Sequence, residues 1–129
     1  LLFASLTPAH ADAPDQAALQ AVISAQLQAF QNDDGPKAYS YAAPVVKLKF
    51  PDVVTFMTMV KSGYLPIYKN AKFAFGSLAL DANGNPAQHV TITAESGKRY
   101  EAVYFMQQQP DGSWKIAGVQ MVEIPGLDA

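Results

Sequence analysis

The chain of 129 residues contains no cysteine. This absence excludes disulfide bridges, thiol nucleophiles, cysteine-ligated zinc and iron–sulfur clusters from its chemistry. Histidine is scarce as well: the sequence has two, His10 and His89, and neither stands at ligand spacing from a second metal-binding side chain. We therefore expect no metal site and no cofactor.

The sequence also lacks a cluster of basic residues and a long apolar run. Its nine Lys and Arg are scattered, and eleven Asp and Glu bring the net charge to −2. Nucleic-acid binding needs a clustered basic surface, so we expect no nucleic-acid partner. No apolar run approaches the ~20 residues of a transmembrane helix, which predicts no membrane span.

The apolar content is sufficient for one folded domain, since 50% of the residues are hydrophobic and 11% are aromatic. The stretch LLFASLTPAHA precedes this domain and ends in Ala9-His10-Ala11, the small-x-small pattern that signal peptidase recognises. We interpret residues 1–11 as the remnant of a signal peptide cleaved after Ala11, and residues 12–129 as a single domain. The protein is then expected to be periplasmic or secreted. The alternative is an Ala-rich N-terminal extension.

The first half of the chain has the apolar spacing of helices. One buried stripe, which predicts a first helix, consists of Leu19, Val22, Ile23, Leu27 and Phe30. A later stripe, which predicts a third helix, consists of Val53, Phe56, Met57 and Val60. These apolar faces are the expected helical contribution to the core.

Two aspartates are candidate helix N-caps. Asp34 either caps a short second helix, or Gly35 ends the first helix in the left-handed conformation. Asp52 is expected to cap the third helix, which ends at Gly63. Between these helices the segment VVKLKF, at 45–50, has β propensity and predicts a short strand.

The second half of the chain changes to a period of two. Strand candidates occur at about 71–80, 87–95, 98–108 and 113–123, separated by DANGNP, SG and PDG. Consecutive strands joined by tight turns predict an antiparallel meander. The predicted fold class is therefore α+β, with three N-terminal helices packed on one face of a four-stranded antiparallel sheet.

Turn geometry assigns residues to the two faces of this sheet. If Ser96-Gly97 is a two-residue turn, Val90 lies opposite Val103. The face predicted to pack against the helices then contains Val90, Ile92, Val103, Phe105, Ala117, Val119 and Met121. The opposite face includes His89, Tyr100, Tyr104, Met106 and Trp114. Because this second face is unusually aromatic for a solvated surface, we expect it to form the interface of a homodimer.

Several local patterns resemble one bacterial family: AQLQAFQNDDGPKAYSYAAP, KFPDVVTFMTMVKSGYLPIY, AQHVTI and DGSWKIAGVQM. Over about residues 23–121 the chain is similar to domain of unknown function 4864, or DUF4864. The resemblance implies a cystatin-like fold of the nuclear transport factor 2-like (NTF2-like) kind, in which helices cover one face of a curved antiparallel sheet. It implies no activity and no catalytic residue, because no function is assigned to that family.

Candidate site residues are three tyrosines and one acidic pair. Tyr41, Tyr64 and Tyr68 are amphipathic and would either rim a pocket or lie at the edge of the core. Asp33 and Asp34 are adjacent, which suits an acid–base pair as well as the capping of a turn, and we favour the turn.

These observations favour a binding or interaction module over an enzyme. The predicted inward face of the sheet has no Asp or His, so no general base is evident there, although the helices could supply one. Our leading hypothesis is an exported, non-enzymatic module that self-associates through its sheet, with a small apolar ligand or an envelope protein as partner. The alternative is a small-molecule enzyme or carrier, similar to an isomerase or dehydratase, with a pocket between helices and sheet.

Overall fold

The computed structural model of the protein describes residues 14–126. The predicted signal peptide and its cleavage site lie outside these residues. The described elements are, in chain order, α1 (Gln16–Gln31), α2 (Gly35–Ser40), α3 (Pro44–Lys49), α4 (Val53–Gly63), α5 (Leu65–Tyr68), β1 (Asn70–Leu80), β2 (Pro86–Ala94), β3 (Arg99–Gln108) and β4 (Trp114–Glu123). None of these helices is long and apolar enough to cross a membrane.

Aspartate side chains begin three of the helices. Asp15, Asp34 and Asp52 each accept a hydrogen bond from the backbone N–H three residues further on, at 3.1, 3.1 and 2.8 Å. Each bond satisfies one N–H that a helix N-terminus leaves without a partner, which confirms the predicted caps at Asp34 and Asp52. The left-handed residue after α1 is Asp33, with a φ of 53°, rather than Gly35, which lies inside α2.

The segment 45–50, predicted as a strand, is mostly helical, so that prediction is wrong. Pro44 occupies the first turn of α3, where its fixed φ favours a helix and its missing N–H costs nothing. The N–H groups of Val46 and Lys47 both bond to the Ala43 carbonyl oxygen, at 2.9 and 3.2 Å. With α3 and the single-turn α5, the described residues contain five helices instead of the three predicted.

The sheet edge next to α3 is occupied by the residues that precede it. Ile116 in β4 donates its N–H to the Tyr41 carbonyl oxygen at 2.9 Å, and Ala43 donates its N–H to the Ile116 carbonyl oxygen at 2.8 Å. This pairing is a parallel bridge that occupies both backbone groups of Ile116. The segment 45–50 therefore has no free strand edge at Ile116 to pair with, despite its β propensity.

The four strands form one antiparallel sheet in the order β1-β2-β3-β4, which confirms the predicted meander. Every strand bound lies within one residue of its predicted position. The pairing of β1 with β2 is interrupted twice, between Asn70 and Lys72 and between Phe75 and Leu78. Such interruptions bend and twist the bulged strand.

The β2–β3 hairpin has a three-residue loop instead of the predicted two-residue turn. Gly97, with a φ of 91°, takes the left-handed position at the end of this loop and donates its N–H to the Ala94 carbonyl oxygen at 2.9 Å. The register consequently moves by one residue, and Val90 lies opposite Ala102 rather than Val103. Because neighbouring residues on a strand point to opposite faces, this shift exchanges the two faces of β3 relative to β2.

A bulge at Ala117 changes which residues of β4 face the helices. Met106 pairs with Ile116, as the PDG turn predicts, but the pairs beyond Ala117 are displaced by one residue. Val119 thus joins Ile116 on the same face of β4. Both side chains face the helices.

The core lies between the helices and this face of the sheet. From the helices it takes the predicted stripes, with Leu19, Ile23, Leu27, Phe30, Phe56, Met57 and Val60 buried. From the sheet it takes Val90, Ile92, Ala102, Tyr104, Met106, Trp114 and Ile116. Val103 and Phe105, which were predicted to be in the core, are half-buried on the outer face.

The aromatic surface predicted as a dimer face is therefore wrong in its placement. Tyr104, Met106 and Trp114 are buried under the helices, and Tyr100 lies on the same side, half-buried. Four of the five residues do share one face, but the register shift at Gly97 assigns that face to the core. His89 alone of the five lies on the outer face, where its Nδ1 is 2.6 Å from Oε2 of Glu101.

Candidate functional site

A pocket of about 340 Å³ lies between the helices and the sheet. We call it the helix–sheet pocket. Its walls belong to α1, α3, α4 and α5 on one side and to β3 and β4 on the other. Most of its lining is apolar and includes Phe30, Val46, Phe56, Met59, Val60, Ile116 and Val119. A volume near 300 Å³ is at the lower end of the range for small-molecule sites.

The pocket extends from the surface at α3 to the buried face of the sheet. Val45 and Lys49 of α3 line it and are exposed, which places its mouth at this helix. Tyr104 and Ile116 line it as well and are buried at 0% and 4% exposure. The inner end is therefore formed by β3 and the edge strand β4.

The wall formed by α3 depends on Tyr39 and the end of the helix. Tyr39 donates its hydroxyl hydrogen to the Phe50 carbonyl oxygen at 2.6 Å, and its ring packs against Phe56 with the centroids 5.1 Å apart. These contacts attach the C-terminal end of α3 to α2 and α4, although no residue of α3 is itself fully buried.

Two polar side chains in the wall already have structural partners. Gln26 Nε2 donates to the Ala38 carbonyl oxygen at 3.1 Å, which ties α1 to α2. Tyr64 donates its hydroxyl hydrogen to the Val119 carbonyl oxygen at 3.2 Å, which ties the end of α4 to β4. Both residues line the pocket, so the same bonds fix the separation of its walls.

Tyr104 differs from these groups because its hydroxyl has no partner. Among residues 14–126 it is the one buried side-chain polar atom without a hydrogen bond. The buried amides elsewhere are paired: Asn70 donates to the carbonyl oxygens of Leu27 and Ile67, and Gln88 donates to that of Gly76. An unpaired hydroxyl in a buried site is costly, by about 1–3 kcal/mol, so its position in the wall of a pocket is informative.

Burial raises the pKa of Tyr104 far above its usual value of 10.0. The desolvated phenolate is disfavoured, so the side chain is neutral throughout the physiological pH range. A neutral phenol donates one hydrogen bond and accepts others. Tyr104 is therefore suited to pairing with a polar atom of a ligand and unsuited to act as a base.

The described lining of the pocket is poor in ionisable side chains. No Asp, Glu, His or Arg is among the described residues that line it, and its one charged residue is Lys49. Over residues 14–126 no three His, Asp or Glu side chains converge on a common point where a metal ion could bind. The lining offers mostly apolar contact surface, with one charged residue at its exposed end.

The three predicted rim tyrosines are not all at the pocket. Tyr64 lines it, whereas Tyr41 and Tyr68 do not. Tyr68 donates its hydroxyl hydrogen to Asp33 Oδ1 at 2.7 Å and thereby connects α5 to the turn after α1. That bond, with the Asp34 cap, gives the acidic pair a structural role at this turn.

Lys49 and Tyr104 are two functional candidates in the pocket that the sequence does not predict. Lys49 was assigned to a strand that does not form, which removed it from the helical half of the molecule. Tyr104 was assigned to the outer face by the register error. The glycine in the β2–β3 turn was the available signal, since Gly97 also suits the third position of a three-residue loop.

The two pocket tyrosines should respond oppositely to loss of the hydroxyl. We expect Tyr104→Phe to leave the free energy of unfolding unchanged or to raise it by up to about 1 kcal/mol, because an unpaired buried hydroxyl is removed. Tyr64→Phe should lower it by about 1 kcal/mol, because the bond to Val119 is lost. Urea unfolding of the ligand-free variants measures both, and a clear destabilisation by Tyr104→Phe would contradict the absence of a partner.

Comparison with known proteins identifies the family of the chain. The family model described as Domain of unknown function (DUF4864) matches residues 12–129, and therefore includes every residue of the helix–sheet pocket. The comparisons with curated proteins and with solved structures returned no match. The match spans nearly the whole chain and agrees with the motifs in its helical half and its last hairpin. The protein belongs to the DUF4864 family.

Proposed function

We propose that this domain binds a small, largely apolar molecule in the helix–sheet pocket and is not itself a catalyst. The observation that carries the proposal is the unpaired Tyr104 hydroxyl in the wall of an otherwise apolar cavity of about 340 Å³. Of the two hypotheses drawn from the sequence, this one corresponds to the carrier with a pocket between helices and sheet.

The energetics of the cavity favour an occupant. An apolar molecule that enters it replaces water at the side chains of residues such as Phe30, Met59 and Val60, with a gain of about 25 cal/mol per Å² of apolar area. A polar atom of the same molecule placed at Tyr104 supplies the missing hydrogen bond in a region of low dielectric. Both contributions are realised by one ligand of mixed character.

Binding can be tested with a neutral fluorescent probe and a variant that fills the pocket. We expect 1-N-phenylnaphthylamine to fluoresce more strongly on addition of the protein, because its emission rises in apolar surroundings. Val119→Trp should weaken this binding at least about tenfold, since the larger side chain occupies the cavity. Fluorescence titration gives the dissociation constants.

Val122→Trp is the matched control for this experiment. Val122 lies on the same strand three residues further on, but it is 65% exposed on the outer face. Its substitution should leave probe binding unchanged.

Met59→Trp is a second variant that fills the pocket. Circular dichroism of all variants distinguishes occlusion of the pocket from misfolding. Equal probe binding by the wild type and both filling variants would remove the proposal.

Self-association is a second candidate property, now with a different surface. The outer face of the sheet carries an apolar patch, which we call the outer sheet patch: Val103, Phe105 and Val122. Val103 and Phe105 are half-buried and Val122 is largely exposed, so a second copy could cover additional apolar surface here.

A dimer through the outer sheet patch predicts a specific effect of charge. Val103→Glu should convert a dimer into a monomer, because the patch would then bury an unpaired carboxylate. Val54→Glu, at an exposed site on α4, is the control and should not change the assembly. Light scattering after size exclusion gives the masses, and a monomeric wild type would refute self-association.

Export and the NTF2-like fold assignment are part of the same proposal. Export rests on the Ala9-His10-Ala11 motif. The NTF2-like fold rests on the resemblance to the DUF4864 family, and the order of helices and strands agrees with it. Sequencing of the N-terminus of the protein from its native host checks the first, with Asp12 as the expected first residue.

A further inference from the structure

We propose that the ligand of the helix–sheet pocket is a small amphiphilic carboxylate, with its acid group at Lys49 and its apolar body inside the pocket. This inference rests on the proposed binding function and adds the charge of the ligand to it. Among the described residues that line the pocket, Lys49 is the single charged side chain. The mouth is therefore locally positive in a protein whose net charge is −2.

The ammonium group of Lys49 has no carboxylate partner in the part of the chain that the structure describes. The one ion pair there joins His89 and Glu101, on the outer face of the sheet. Lys49 therefore remains available to a negative group outside the protein. Lys49 lines the apolar pocket and is itself exposed. Lysines at apolar surfaces usually pack their methylene stem there and keep the charge in water.

Lys47 provides an internal comparison on the same helix. Its Nζ lies 5.0 Å from the centroid of the Tyr39 ring, a cation–π contact, and it does not line the pocket. Both lysines are in the last turn of α3, where a positive charge is favourable next to the helix carbonyl groups. That effect is common to the two positions and does not explain why Lys49 lies at the mouth.

The position of Lys49 determines what a charged ligand must look like. A carboxylate at the exposed mouth keeps part of its hydration, so the cost of desolvation is small. An ion pair in such a place contributes modestly to affinity and more to the choice and orientation of the ligand. The apolar lining beyond it accepts a hydrocarbon chain or ring, and Tyr104 accepts or donates one hydrogen bond at the inner end.

Three probes with one common chain separate charge from hydrophobicity. Octanoate, octan-1-ol and octylamine are each titrated against the complex with 1-N-phenylnaphthylamine at low salt. We expect Lys49→Glu to weaken octanoate about five- to tenfold, to leave octan-1-ol within about twofold, and to strengthen octylamine. These differences should shrink in 0.5 M NaCl, because exposed charges are screened over about 4 Å there.

Lys47→Glu is the matched control, since it makes the same change in net charge two residues away. It should leave all three affinities within about twofold of the wild type. If the two variants affect octanoate equally, the effect is a general one of charge and the proposed contact at Lys49 is wrong.

The outcomes distinguish this inference from the binding function on which it rests. If the wild type binds neither the fluorescent probe nor octan-1-ol, the pocket function fails and the inference fails with it. If the neutral probes bind but Lys49→Glu does not change the affinity for octanoate or octylamine relative to octan-1-ol, the binding function is retained and the proposal of an acidic ligand is wrong. A third outcome would also overturn the proposal: the protein sediments with phosphatidylglycerol vesicles, both lysine variants weaken this sedimentation equally, and octanoate does not bind. The positive charge of α3 would then be assigned to contact with a membrane surface.

Discussion

The pairing of Tyr41 and Ala43 with Ile116 is the constraint on which the pocket depends. Two backbone hydrogen bonds, of 2.9 and 2.8 Å, attach the chain to the edge of β4 before it turns into α3. Pro44 follows at once and favours helix, so the next six residues leave the sheet instead of extending it. The pairing therefore holds α3 beside the sheet, and the space between them is the pocket.

The pocket wall contains one buried polar group without a hydrogen-bond partner among the described residues. The domain satisfies its buried amides at Gln26, Asn70 and Gln88 but leaves the hydroxyl of Tyr104 without a partner. A phenylalanine would fill nearly the same volume at this position without that cost. The hydroxyl therefore adds no hydrogen bond to the stability of the domain, and the proposed ligand would supply its partner.

Helices α1, α2 and α4 and the strand bounds follow from the sequence because their signals are local. The spacing of Leu19, Ile23 and Leu27 and the caps at Asp34 and Asp52 each depend on a few neighbouring residues. The assignment of side chains to the two faces of the sheet is harder to predict, because it depends on the length of a single turn. A single extra residue in the loop that ends at Gly97 moved Tyr104 from the predicted surface to the core.

The pocket itself was predictable only as a general location. Tyr64 was recognised as amphipathic, but Lys49 depended on whether 45–50 is a strand or a helix, and its β-branched residues favour the wrong answer. Two features decide against a strand: Pro44 favours a helix, and residues 41–43 already occupy the sheet edge at Ile116. The local sequence does not show the second feature, because Ile116 is far away in the chain.

The two edge strands of the sheet, β1 and β4, limit how the protein can assemble. The β4 margin is covered at Ile116 by the Tyr41–Ala43 segment, and the β1 margin is distorted by its two pairing interruptions and carries Lys72. Neither is a flat row of free N–H and C=O groups, so neither is a good template for a strand of another molecule. Copies of this domain are thereby discouraged from joining edge to edge into a continuous sheet, as in fibrils, and any contact between them is directed to the faces.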